Sequence, residues 1–188
     1  SWSPERLRGE VDVAFVQGGT YPLAKDVDGR LRGMAAVYRE PLWIFYRGKP
    51  VSDDLAALAG RRIAVGAPGS GTEAIARALL EGVGLPISGP NLVSLPGTEA
   101  RGRLERGAID AAFFVSSYRD ANVAALLHRP DVRLLSFQRD AAFSGNFRYL
   151  SAMRIPPGLL DLKAGLPREA ITLMAPAALL VCRETLHP

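Results

Sequence analysis

Two segments of this chain, LRGEVDVAFV at 7–16 and LERGAIDAAFFV at 104–115, follow one order, apart from Glu105 inserted after the leucine of the second: leucine, a basic residue, glycine, one residue, a β-branched apolar residue, aspartate, one residue, alanine, phenylalanine. In each, a glycine suited to a helix C-terminus is followed at once by a strand of buried character with aspartate near its entrance. Making this transition twice calls for two lobes of similar α/β design.

Between and beyond the two copies lie two long extended segments, MAAVYREPLWIFYR at 34–47 and AITLMAPAALLVC at 170–182, each interrupted by proline, Pro41 and Pro176. Proline inside an extended run marks a strand edge or a change of direction. One segment on each side of the central region is expected to form a two-stranded hinge. Within the central region a strand at 62–65, a helix from 72, a strand at 92–95, a helix at 97–106 and a strand at 109–115 make a βαβαβ unit, hence a parallel sheet with right-handed crossovers. A capped short helix or turn is expected at 51–58 and another strand at 132–137. A helix or irregular segment is expected at 141–150 and a loop at 155–167. The fold class is therefore α/β, with one complete lobe at 48–168 and an incomplete lobe at 1–47 and 169–188. The opening SWSPERLRGEVDVAFV reads as a short capped helix feeding a strand, like the middle of a domain.

The chemistry concentrates in GRRIAVGAPGSGTEAIARALL at 60–80. The apolar positions Ala74, Ile75, Ala78 and Leu79 lie on one helix face, Ser70 or Thr72 is the N-cap, and Glu73 suits the positive end of the helix dipole. First-turn N–H groups lack backbone partners and, with the dipole, favour a carboxylate, sulfate or phosphate. A nucleotide phosphate loop would need lysine where Thr72 stands. A hydrolase elbow would need glycine where Pro68 and Thr72 flank Ser70. The plainer reading, glycine serving turn geometry alone, stays open at this point.

Composition narrows the function classes. The net charge of +4 is spread over arginines scattered among acidic residues, which argues against a nucleic-acid face. Cys182 is the single cysteine, so neither an intrachain disulfide nor a cysteine metal cluster can form. His128 and His187 are the only histidines, a poor supply for a metal site or a triad, and His128 is expected exposed near a helix end. No apolar run reaches membrane-spanning length.

With these residues in view, the chain resembles the TAXI-type solute-binding proteins of TRAP transporters, receptors of the type II periplasmic binding protein fold. The resemblance rests on GEVDVAFVQGG at 9–19, VYREPLWIFYR at 37–47, LAGRRIAVGAPGSGTEAIARALL at 58–80, GAIDAAFF at 107–114 and the IPPG loop with its following strand. It implies a periplasmic or extracytoplasmic receptor, free or membrane-anchored in its full length. Such a receptor binds a small anionic solute, an amino acid or dicarboxylate, between lobes and hands it to a TRAP-type permease, with no cofactor. The family's additional N-terminal α/β segment has no counterpart here, so the flanking lobe is expected to be incomplete and two copies could pair across it. By position, Ser70, Gly71 and Thr72 correspond to the carboxylate-binding turn, and Gln17 and Gly18 to its counterpart from the other lobe. Phe114, Val115 and Ser116 end the echoing strand and are expected to face the cleft, in line with ligand binding at the carboxyl ends of strands in open α/β sheets. Tyr21 and Tyr38 are candidate cleft walls, Trp43 is expected in the hinge, and Arg39 and Glu40 could pair with each other or with a ligand. Two other classes use the same turn. One is an enzyme holding a phosphate or carboxylate, short of catalytic residues here; the other is a sensor domain of a membrane-anchored protein.

Overall fold

A computed structural model describes residues 12–19, 31–51, 55–184 and 186. Nine strands and four α-helices follow one another in the described residues: β1 (Val13–Gln17), β2 (Leu31–Arg39), β3 (Leu42–Arg47), β4 (Ile63–Ala64), α1 (Gly71–Gly82), β5 (Leu92–Val93), α2 (Gly97–Glu105), β6 (Ala111–Val115), α3 (Ala121–Leu127), β7 (Val132–Leu134), α4 (Asp140–Asn146), β8 (Leu150–Ile155) and β9 (Ile171–Arg183). A short 3-10 helix at Leu55–Leu58 stands where the capped helix was expected. The first helix of the opening, Tyr21 and His187 lie outside the described residues.

The strand order is β1-β9-β3-β6-β4-β5, with β2 and β8 also on β9 and β7 on β3. The βαβαβ unit is parallel as expected: Ile63 pairs with Leu92 on one side and with Ala111 on the other. β3 runs antiparallel to β6, Leu42 opposite Val115 through Tyr46 opposite Ala111. The thirteen residues of β9 serve both halves of the sheet: Ile171–Pro176 pair with β8, Ala177–Arg183 with β1 and β2, and Met174 lies opposite Leu42. The two proline-bearing segments meet near their prolines, Pro41 between β2 and β3 and Pro176 within β9, where the Glu40 N–H donates to the Pro176 carbonyl at 3.2 Å.

The alternation of a buried strand explains the core. On β3, Leu42, Ile44 and Tyr46 enter a cluster with Ile75 and Leu79 of α1 and Phe143 of α4, while Trp43 and Phe45 enter a second with Leu104 of α2 and Val123 of α3. Each face of the sheet is thus covered by its own pair of helices. α1 buries Ile75, Ala76, Leu79 and Leu80, so its inward stripe is set one residue later than the expected Ala74, Ile75, Ala78 and Leu79.

The echo has a structural counterpart at its aspartates. Asp110, before β6, accepts hydrogen bonds from the Arg62 N–H at 2.9 Å and from its guanidinium Nε at 3.0 Å, tying the start of β4 to the start of β6. Asp12, before β1, accepts the Arg183 N–H through its carbonyl at 3.1 Å and lies 3.9 Å from that guanidinium. In both places the aspartate joins the entrance of its strand to an arginine at one end of a neighbouring strand, Arg62 just before β4 and Arg183 at the end of β9.

Two expectations change. The segment around 150 contains a strand, β8: Ser151, Met153 and Ile155 pair with Ala175, Leu173 and Ile171. A turn at 147–149 lets the chain reverse after α4, and the loop begins only at Pro156. Tyr38 is half exposed on β2, and no strand other than β9 pairs with β2 among the described residues.

Candidate functional site

The turn between β4 and α1 is built around Gly66, whose φ is +109°. A Cβ there would stand 2.8 Å from the Thr72 Cβ, 2.9 Å from the Glu73 nitrogen and 3.0 Å from the Ser70 Oγ, so glycine is what lets the helix start fold back over the strand end. Ser70 is the N-cap: its backbone is extended and its Oγ accepts the Glu73 N–H at 3.2 Å. That leaves the Ser70 hydroxyl proton available to donate. The N–H groups of Gly71 and Thr72 have no partner among the described residues, as the geometry of a first helical turn dictates.

Glu73 fixes the underside of this turn. One carboxylate oxygen accepts the Gly69 N–H at 2.7 Å; the other accepts from the Ser94 hydroxyl and from Arg77 at 3.0 and 3.2 Å. Burial pushes this carboxyl up, and the bonds from Ser94, Gly69 and Arg77 outweigh that, holding it below the usual glutamate value. A lowered folded-state pKa contributes stability in full above the ordinary 4.5 and loses it as pH falls through the folded value. Glu73→Gln should therefore cost about 1 kcal/mol at pH 7. In urea unfolding the two proteins should converge at acid pH, and a gap that persists unchanged below pH 4 would refute this account of the turn.

The turn does not stand alone. β4 pairs with β6, so the Gly66 end of β4 reaches the level of Phe114 and Val115. Val115 lies opposite Leu42 and Leu42 opposite Met174. Beyond these, the Ser116 N–H donates to the Pro41 carbonyl at 3.3 Å, the Ala177 N–H to the Tyr149 carbonyl at 3.4 Å, and the Gly18 N–H to the Ala177 carbonyl at 2.7 Å. One row of backbone contacts therefore runs from the turn before α1 through the ends of β6, β3 and β8 and the middle of β9 to the end of β1. Val115, Ser116, Gln17 and Gly18 lie along this row, and Ser70, Gly71 and Thr72 open the helix that follows β4 at its head.

Phe114 departs from its expected place at the cleft. It is 6% exposed, packs edge-on to Phe45 with ring centroids 5.9 Å apart, and fills the space beside Gly97 at the start of α2. The reason is the period of two. Val115 faces the α1 side, so its neighbour Phe114 must face the α2 and α3 side. Tyr38 shares the Ala178 cross-strand level with Gln17, on the exposed three-stranded part of the sheet. Trp43 is fully buried next to the crossing and donates from Nε1 to the Ser116 carbonyl at 2.9 Å.

Tyr149 belongs to the row, although no local signal in the sequence marks it. Its Cβ lies 3.3 Å from where a Gly18 Cβ would be, and its ring occupies the space a side chain at Gly19 would need. The tyrosine thus couples the 147–149 turn to the glycines ending β1. Half-burial pushes its hydroxyl above the ordinary tyrosine value. The opposite end of β4 carries a shallow hollow lined by Leu58, Gly60, Arg61, Leu80, Leu85 and Pro90. It is a whole strand away from the row. Among the described residues no cluster of histidine, cysteine, aspartate or glutamate has the spacing of a metal site, and no helix is long and apolar enough to cross a membrane.

Solved structures share this fold. SsuA, the periplasmic aliphatic sulphonate binding protein of Escherichia coli, superimposes with a TM-score of 0.50 at 18% identity, covering 92% of this chain and 50% of that one. Truncated ArgBP from T. maritima in its arginine-bound form gives 0.51 at 15% identity, covering 96% and 64%. XAC2383 from Xanthomonas citri, bound to ATP, gives 0.60 at 12% identity, covering 98% and 62%. The chain spans 50–64% of the length of these structures, and the expected α/β architecture of the type II periplasmic binding proteins holds. At the level of sequence, the profile described as the NMT1-like family matches residues 7–188.

Proposed function

The chain belongs to the NMT1-like family, and from that premise we propose that it is the ligand-binding part of an extracytoplasmic solute receptor, of the TAXI type that serves a TRAP permease. It binds and releases without turnover. The observation that carries this reading is the row at the sheet edge: a helix start with two N–H groups unpartnered among the described residues shares one line of contacts with the ends of four strands, β6, β3, β8 and β1, and the middle of β9. Supporting it, SsuA is by its description a sulphonate binder and ArgBP is described with arginine bound. Both ligands present an anionic group that a helix start can hold.

In this proposal a carboxylate sits on the Gly71 and Thr72 N–H groups and the Ser70 and Thr72 hydroxyls, with Val115, Ser116, Gln17, Gly18 and Tyr149 around it. Residues 48–168 form one lobe and 1–47 with 169–188 part of the other, β3 and β9 being shared between them. The bend falls where Pro41 and Pro176 face each other. Closure is a population shift that the solute drives only by binding the closed form more tightly. The permease then reads the closed form.

Replacing Ser70 and Thr72 together by alanine tests this. The Gly71 and Thr72 N–H groups survive, while two hydroxyl donors and the cap are lost. Calorimetry on the full-length receptor should show binding weakened about tenfold or more, at a stability cost near 1 kcal/mol from the cap. Unchanged affinity for the receptor's solute would sink the site assignment.

A further inference from the structure

Glu73 sets a negative charge inside the turn read above as the seat of a negative group. Ser70 and Glu73 have the spacing of a capping box, in which the acidic side chain returns to the N–H of the capping residue. Here the return falls one residue earlier: the Ser70 N–H donates to the Ala67 carbonyl at 3.0 Å, and the Glu73 carboxylate accepts the Gly69 N–H at 2.7 Å. The charge is thereby anchored two residues before Gly71, whose N–H is the first of the open pair. With the Glu73 side chain only 16% exposed, solvent screens it weakly. Unopposed, it would repel an incoming anion and offset what the helix dipole offers one.

Arg77 opposes it. From one turn further along α1, its Nη2 and Nε donate to a single carboxylate oxygen at 3.0 and 3.2 Å, and it is the cation paired with Glu73 among the described residues. Its Nη1 donates to the Ile87 carbonyl and its Nη2 lies 3.3 Å from the Ser94 Oγ, so the loop after α1 and the residue after β5 hold the guanidinium in place. A guanidinium so fixed loses less freedom on closing the pair than a mobile surface cation does.

We propose that Arg77 is a positioning residue of the anion turn: its ion pair with Glu73 cancels a built-in repulsion, so the open Gly71 and Thr72 N–H groups and the Ser70 hydroxyl meet a solute anion with no net negative charge behind them. The inference rests on the solute-receptor reading above and deepens it by naming the pair that sets the affinity of that site. A purely structural pair, tying the 85–91 loop to α1, predicts instead that losing either partner loosens the turn and weakens binding.

The test is a double-mutant cycle on the full-length protein, with sulfate, glutarate and L-glutamate as probes, read by calorimetry and by the Gly71 and Thr72 amide shifts in NMR titrations. Arg77→Met should weaken the bound anions about tenfold. Glu73→Gln leaves the charge of the arginine unopposed, so it should tighten them about threefold or more even though it loosens the fold. The two together should return to within about threefold of the wild type, and so should Arg77→Lys, which keeps the charge without the planar fork. Arg77→Met that binds as well as the wild type, Glu73→Gln that binds no more tightly, or Arg77→Lys as poor as Arg77→Met overturns the proposal. Where Arg77→Met does not fold, the Glu73→Gln and Arg77→Lys results decide. If the proposal falls while alanine at Ser70 and Thr72 still weakens the same anions, the receptor reading stands. Silence from every variant toward all three anions also overturns it. Calorimetry of the Ser70 and Thr72 variant, with the solute that native mass spectrometry finds on the purified protein, then judges the receptor reading by itself.

Discussion

Gly66→Ala should destabilise the protein by about 2–5 kcal/mol and abolish solute binding, although it adds one methyl group. Two effects combine. A φ of +109° is one that side-chain-bearing residues rarely adopt, and the new Cβ would fall 2.9 Å from the Glu73 backbone nitrogen and 2.8 Å from the Thr72 Cβ. The nitrogen cannot swing aside as a flexible side chain can, so relief requires moving the first turn of α1 off the end of β4. That movement separates the Gly71 and Thr72 N–H groups from the row they share with Val115 and Ser116. Gly69→Ala is the matched control. Its φ is +71°, yet no atom lies within 4 Å of the added Cβ, so only the backbone penalty of about 1–2 kcal/mol applies. Urea unfolding and calorimetry on both variants give the comparison. Equal losses in the two would mean that the close approach at Gly66 does not shape the turn.

The same turn shows where sequence reading succeeds and where it stops. The strand, glycine turn and helix were legible because local chemistry dictates them: a capping serine, an acidic residue at the third helical position, and glycines where the backbone bends. The role of Glu73 was only half legible. Its place near the helix dipole follows from the sequence, but its grip on Gly69 and Ser94 depends on how the turn curls and on where β5 lies. The proline-interrupted strands were readable as crossing segments because proline has few places in a sheet. That Pro41 and Pro176 would meet, with Glu40 between them, is a matter of register, which no local pattern carries. β8 was missed because LSAMRI alternates weakly and follows a helix without a strong break. With it went Tyr149, whose value comes entirely from packing on Gly18 and Gly19, more than a hundred residues earlier. Phe114 was misdirected for a simpler reason: choosing the end of a strand does not choose its face.

Trp43→Ala is expected to have the largest effect of any single substitution at the crossing, about 4–6 kcal/mol, comparable to the whole stability of many domains. The side chain is fully buried, lies nearly parallel to Phe45 with centroids 6.4 Å apart, and belongs to the cluster under α2 and α3. Removing it opens a cavity that the sheet cannot close, because Trp43 pairs with Phe114 on β6 through the backbone. It also strands the Ser116 carbonyl, which accepts the indole N–H. Trp43→Phe separates the two contributions. It keeps most of the aromatic volume and loses the donor, so it should cost less than half as much in urea unfolding. If Trp43 does nothing but fill the core, Trp43→Phe should leave solute affinity unchanged. Because the indole bond fixes Ser116 immediately beside the Pro41 crossing, the expected result is instead a weaker complex at modest cost in stability. The core on one face of the sheet would then be setting the position of the site residues at its edge.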